Sequence, residues 1–194
     1  MYKSAVLILL IFLNTTCAHA IHLECARGTI HHNKVDALIE ACKCDYIDVV
    51  KKLIDAGVEI NVADSGGWTP LMTALGNSNY EIADFLIKRG ANVDFKETND
   101  GEPAMFMAVG SASIRRVKYL ISKGANVNER NRSGMTPIFL LNQYKELAAI
   151  VSALIEAGAD VNARDEHGKS VLSYFKERSE TEVINLLIAN GAKE

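Results

Sequence analysis

At 194 residues the chain suits one compact domain or one short repeat array and is a tight fit for a two-domain enzyme. Its 21 basic against 24 acidic side chains leave a net charge of −3. That balance lacks the excess of Lys and Arg that draws a protein onto nucleic acid or anionic lipid, so no nucleic-acid partner is expected.

The amino-terminal segment is built differently from the rest. Lys3 gives a short positive start, Ala5 to Leu13 is an unbroken apolar run, and Ala18-His19-Ala20 supplies small residues for cleavage before Ile21. These features predict a signal peptide over residues 1–20, of bacterial rather than eukaryotic style, and export to the periplasm or the secreted space. Nine apolar residues at about 1.5 Å each fall short of a ~30 Å hydrocarbon core, so no membrane span is expected after cleavage. Acylation at Cys17 is disfavoured, because Asn14, Thr15 and Thr16 precede it instead of leucine and small residues.

From residue 34 onward the chain repeats. Gly57, Gly90, Gly124, Gly158 and Gly191 are spaced by 33, 34, 34 and 33 residues. Each closes an apolar run such as Leu53-Ile54-Asp55-Ala56-Gly57 or Leu154-Ile155-Glu156-Ala157-Gly158. The middle three are followed by Ala91-Asn92-Val93-Asp94, Ala125-Asn126-Val127-Asn128 and Ala159-Asp160-Val161-Asn162. Twelve residues beyond the first four glycines come Thr69-Pro70, Glu102-Pro103, Thr136-Pro137 and Ser170-Val171. Proline at the first helical position has no amide to leave unsatisfied, and a preceding Thr can cap the orphan amides, so helices are predicted to begin at Pro70, Pro103 and Pro137. The closing glycine ends a second helix in the left-handed conformation. Since the glycine-to-Thr interval is constant, the extra residue of repeats three and four is expected between the paired helices, around Ser111 to Ile114 and Gln143 to Leu147.

These residues resemble the ankyrin repeat, whose signature runs Gly-x-Thr-Pro-Leu-His-x-Ala, then a second helix, then Gly-Ala-Asp-Val-Asn. The resemblance covers residues 34–194. It implies an all-α solenoid of about five helix-turn-helix repeats joined by β-hairpin-like loops, at about 34–64, 65–97, 98–130, 131–164 and 165–194. The family's histidine is replaced by Met72, Met105, Phe139 and Ser173, so apolar packing is expected in place of its hydrogen bonds. Asp64, Asp100 and Asp165 fall where the family places turn residues.

Between the signal peptide and the repeats, residues 21–33 are predicted to cap the stack. Three cysteines remain after cleavage, Cys25, Cys42 and Cys44, which in an oxidising compartment suggests one disulfide and one leftover thiol. Cys42 and Cys44 project about 200° apart on a helix, which leaves Cys25 bonded to Cys44, or to Cys42. His22, His31 and His32 near those cysteines raise a rival reading as a metal site, but the spacing fits no zinc pattern, and neither metal nor cofactor is expected.

Catalytic signatures are missing: the sequence has no Gly-x-Ser-x-Gly elbow, phosphate-binding loop or His-Glu-x-x-His pair. The chain is therefore expected to be a non-enzymatic module, a monomer that binds a partner protein. Two other readings are an immunity-type inhibitor of a toxic enzyme in the same compartment and a metal-binding protein. The resemblance implies that partners meet the hairpin tips and the face made by the first helices. Those positions hold Trp68, Phe95, Lys96, Glu102, Arg130, Arg132, Met135, His167 and Lys169 at the tips, with Asn77 and Tyr144 at the helix ends. Trp68 and Met135 are the leading anchors, since aromatic and Met side chains recur at interface centres, while packing over a neighbouring hairpin is the alternative for Trp68 and Phe95.

Overall fold

The computed structural model describes residues 34–141 and 147–194. The expected signal peptide over 1–20, the expected capping segment over 21–33 with Cys25, His22, His31 and His32, and Tyr144 lie outside these residues. Two compact units meet in sequence at Ala91 and Asn92. Among the described residues both are helical, apart from one antiparallel bridge between Arg164 and Ser170.

The first unit contains α1 (Lys34–Lys43), α2 (Ile47–Asp55), α3 (Pro70–Gly76) and α4 (Tyr80–Lys88). Here α1 packs on α2 and α3, and α4 packs on α3 and α2. Pro70 stands at the first helical position and Thr69 Oγ1 accepts the Met72 N–H at 3.2 Å, as the sequence predicts. The core joins Leu38, Ala41 and Cys42 to Leu71, Met72 and Leu75, and Val50 and Leu53 to Ile82 and Leu86. Neither hairpin could bury this face alone, so stacking supplies the stability.

The second unit contains α5 (Ala104–Gly110), α6 (Ile114–Ser122), a 3-10 turn (Pro137–Leu140), α7 (Leu147–Glu156), α8 (Val171–Glu177) and α9 (Thr181–Ala189). The first helices pack as α5, 3-10 turn and α8, and the second helices as α6, α7 and α9. Burial in the second helices is narrower than their apolar content. Val117 and Leu120, Ile150 and Leu154, and Val183 and Leu187 are buried, whereas Tyr119, Ile155 and Ile184 are half-exposed.

Four sequence expectations are corrected here. Pro103 does not start a helix: with ψ at 169° it is extended and occupies the capping position that Thr69 holds in the preceding repeat. The turn glycine with positive φ is Gly101, matching Gly67, Gly134 and Gly168, so Glu102 corresponds to Trp68, Met135 and Lys169 and not to Thr69, Thr136 and Ser170. The extra residue of repeat three therefore sits in the hairpin, not in the Ser111 to Ile114 turn. The side chain filling the missing-histidine slot is accordingly Phe106, not Met105, and it is buried beside Met105. Pro137 opens a 3-10 turn and not an α-helix, and Leu141 after it is extended with ψ 114°.

The hairpin correction has a simple chemical basis. In the five-residue turns, one carboxyl or amide oxygen holds two backbone amides: Asp64 Oδ1 those of Gly66 and Trp68, Asn131 Oδ1 those of Ser133 and Met135, Asp165 Oδ1 those of His167 and Lys169. Repeat three has one more residue between Glu97 and Glu102 and one more methylene in the acid that holds it. Glu97 accepts the amides of Asn99, Asp100 and Glu102, while Asp100 offers its carbonyl to the Arg132 N–H at 2.9 Å. Asp100 is thus not the turn-holding acid. Burial alone would raise the Glu97 pKa, but the amides of Asn99, Asp100, Glu102 and Gly101 together lower it below 4.5. A lowered acid pKa contributes stability that is present above the unfolded value and lost as pH falls through the folded one. Glu97→Gln is therefore expected to melt below the parent at neutral pH and to converge with it as pH drops below 4.5, measured by thermal unfolding across that window.

Candidate functional site

Each hairpin fixes one side chain between its turn glycine and the following helix cap. In the first unit this is Trp68. Its amide is held by Asp64, its ring lies beside Gly76, where an added Cβ would stand 3.5 Å from the ring, and it remains 42% exposed. Asn77 follows at the end of α3, exposed, with Nδ2 donating to the Thr73 carbonyl at 2.9 Å.

In the second unit the slot holds Glu102, Met135 and Lys169. Glu102 is half-buried and accepts from Asn131 Nδ2 at 3.0 Å. Desolvation raises its pKa, the Asn131 hydrogen bond lowers it, and the charges of Asp100 and Glu97 raise it further, for a net rise. Asn131 therefore has both side-chain atoms committed, to Glu102 and to its own turn. Met135 is half-buried, with the Tyr174 hydroxyl donating to Sδ at 3.8 Å. Lys169 Nζ reaches Glu177 at 2.5 Å and lies 4.1 Å from the Tyr174 ring centroid. Tyr174 in turn meets Phe139 edge-on at 5.1 Å.

The structure thus brings Met135 and Lys169 together around a residue that sequence reading missed, Tyr174. The signal was available: Met107, Leu140 and Tyr174 all stand four residues into the first helical segment of their repeats, and all three are half-exposed. The segment of Leu140 packs between those of Met107 and Tyr174, which sets the three in a row, and Lys169 lies over the Tyr174 ring.

Other candidates serve the stack itself. Lys96 Nζ pairs with Glu129 at 3.0 Å and donates to the Arg130 carbonyl at 2.9 Å. Arg130 Nη1 donates to the carbonyls of Gly134 and Arg164 at 2.5 and 2.6 Å, and Arg132 Nη2 to that of Thr98 at 2.6 Å. Phe95 is half-buried, and its amide donates to the Asn92 carbonyl at 3.3 Å. His167 stays exposed at its tip beside Glu166. A ladder of Asx side chains adds to these ties: Asp94 accepts the Asn126 N–H, Asn128 the Asp160 N–H, and Asn162 the Lys193 N–H, at 3.0, 2.8 and 2.8 Å. Besides the buried Met72, Phe106 and Phe139, polar cross-ties therefore stand in for the absent histidine.

Of the cysteines, Cys42 is fully buried and its thiol is pushed up to about 12 by burial. Cys44 is half-buried just after α1, with Sγ donating to Glu40 Oε1 at 3.3 Å. Alkylation of the native, reduced protein at mildly alkaline pH is expected to label Cys44 well before Cys42, read by peptide mass mapping. Among the described residues no group of three or more His, Cys, Asp or Glu is placed to hold a metal ion, and no helix is long and apolar enough to cross a membrane.

The family profile described as Ankyrin repeats (3 copies) matches residues 7–97 and 90–165. The chain belongs to the ankyrin-repeat family. An ankyrin repeat protein of Rickettsia felis is 39% identical over 67 residues, 34% of this chain and 25% of that protein. Human protein phosphatase 1 regulatory subunit 27 is 40% identical over 73 residues, 38% of this chain and 46% of that one. The human 2-5A-dependent ribonuclease is 31% identical over 78 residues, 40% of this chain but 10% of the ribonuclease. The chain spans less than half the length of each. Ankyrin repeats are generally protein–protein interaction modules, and the family is generally non-catalytic.

Proposed function

We propose that this ankyrin protein is a non-enzymatic binding module of the periplasm or secreted space that holds a partner protein with its hairpin slots and the exposed side of its first helices. The observation that carries this reading is the half-exposed row of Met107, Leu140 and Tyr174, next to Met135 and Lys169, whose backbones are fixed by turn and cap. A side chain on such a backbone has little entropy left to lose, so burying it returns more net affinity than a loose loop would. In the first unit Trp68 offers the same arrangement. Export rests on the amino-terminal pattern, and sequencing of native material should find Ile21 first, with retained Met1 as the contrary result.

The test is a pull-down from the native envelope with the parent, Trp68→Ala and Tyr174→Ala, with affinities measured on the captured partner. At least one substitution is expected to cost about 2 kcal/mol or more of binding while thermal unfolding shows the protein still folded. Unchanged affinity in both folded variants would place the interface elsewhere.

A further inference from the structure

The side of the second unit formed by its second helices carries a separate feature. A shallow groove of about 240 Å³ runs between α6 and α7, lined by Lys118, Ile121, Ser122, Ala153, Glu156 and Ala157. Ile121, Ala153 and Ala157 give it an apolar strip.

Charge distinguishes α6 from every other second helix described. Asp48 and Asp55 lie on α2, Glu81 and Asp84 on α4, Glu156 on α7 and Glu182 on α9. No carboxylate occurs in α6, which instead carries Arg115, Arg116 and Lys118, with Lys123 immediately after it. At 3.6 residues per turn Arg115, Lys118 and Ser122 share one flank, and Lys118 and Ser122 are groove residues. Arg115 and Lys118 are both exposed. This basic flank sits on a chain whose net charge is −3, so its field opposes that of the whole molecule.

We propose that the α6–α7 groove docks an acidic amphipathic peptide segment of a partner protein. An apolar side chain of the peptide lies over Ile121, Ala153 and Ala157, and its carboxylates meet Arg115 and Lys118. Glu156 at the opposite wall repels a carboxylate, which orients the acidic face of the peptide toward α6. The proposal goes beyond the hairpin-side reading and stands without it, because none of the groove residues lies in a hairpin or a first helix.

The experiment uses the full chain and a fluorescein-labelled synthetic helical peptide with Glu on one face and Leu on the other, read by fluorescence polarisation. Binding should weaken with salt, and Lys118→Glu and Ala157→Glu should each weaken it at least about tenfold. Both positions are exposed, and matched thermal unfolding checks the fold; Lys118→Gln provides a milder second variant, expected to weaken binding in the same direction. Trp68→Ala and Tyr174→Ala should leave the peptide affinity unchanged, which separates this site from the hairpin-side face. The proposal is overturned if the peptide does not bind, if the folded groove variants bind it as the parent does, or if polyglutamate without Leu binds equally well.

Discussion

Gly134→Ala is expected to destabilise the second unit by about 2–4 kcal/mol, more than the same change at an equivalent turn. Gly134 has φ +71°, and an added Cβ would stand 2.9 Å from the backbone nitrogen of Glu166 and 3.3 Å from the carbonyl carbon of Asp165. The obstacle cannot swing away as a side chain would, because the Glu166 N–H is itself bonded to the Ser133 carbonyl at 3.0 Å. Gly168 occupies the same turn slot with φ +78°, and a Cβ added there would meet nothing within 4 Å. Gly168→Ala should therefore lose only the left-handed penalty, about 1–2 kcal/mol. Denaturant unfolding of the two variants side by side separates backbone strain from the close approach of successive hairpins. Equal losses would mean that the hairpins are not held this tightly.

Phe139→Ala should cost about 3–5 kcal/mol, the range for removing a buried aromatic ring and leaving a cavity. Phe139 is 2% exposed and stands in the slot where the family has histidine. Its ring meets Tyr174 of the following repeat edge-on. A double-mutant cycle with Tyr174→Ala should find about 0.5–1.5 kcal/mol of coupling between the two rings. A total loss under about 1 kcal/mol would show that packing does not replace the missing histidine here.

Much of the fold was legible because its signals are local and repeated. Glycine spacing located the ends of the second helices, and Thr69-Pro70 predicted a helix start that the structure reproduces with its cap. The register of repeat three was misread for a physical reason. Pro103 is compatible both with a first helical position and with an extended cap, and an acid one methylene longer lets Glu97 close a turn one residue longer. The 3-10 turn at Pro137 has no counterpart in the signature, which matches there from Gly134 to Pro137.

The site was less legible. Sequence position marks which residues stand in the hairpins but not where their polar ends go, so Lys96, Arg130 and Arg132 read as binding residues although each donates to a carbonyl of another hairpin. Tyr174 was overlooked because its importance comes from what surrounds it, Met135 and Phe139 from the preceding repeat and Lys169 from its own. The Asx ladder was visible as the recurring Asn of Val127-Asn128 and Val161-Asn162, yet only the cross-repeat hydrogen bonds reveal its role.

Hydrogen–deuterium exchange of the protein with and without its captured partner reports which backbone segments the partner covers, and so whether it sits on the hairpin slots and first helices. Slowed exchange is expected across 101–107, 134–140 and 168–174, the hairpin slots and first helical segments of the second unit, or across 67–77 in the first. A tight complex in which all of these segments exchange as fast as in the unbound protein would contradict that placement.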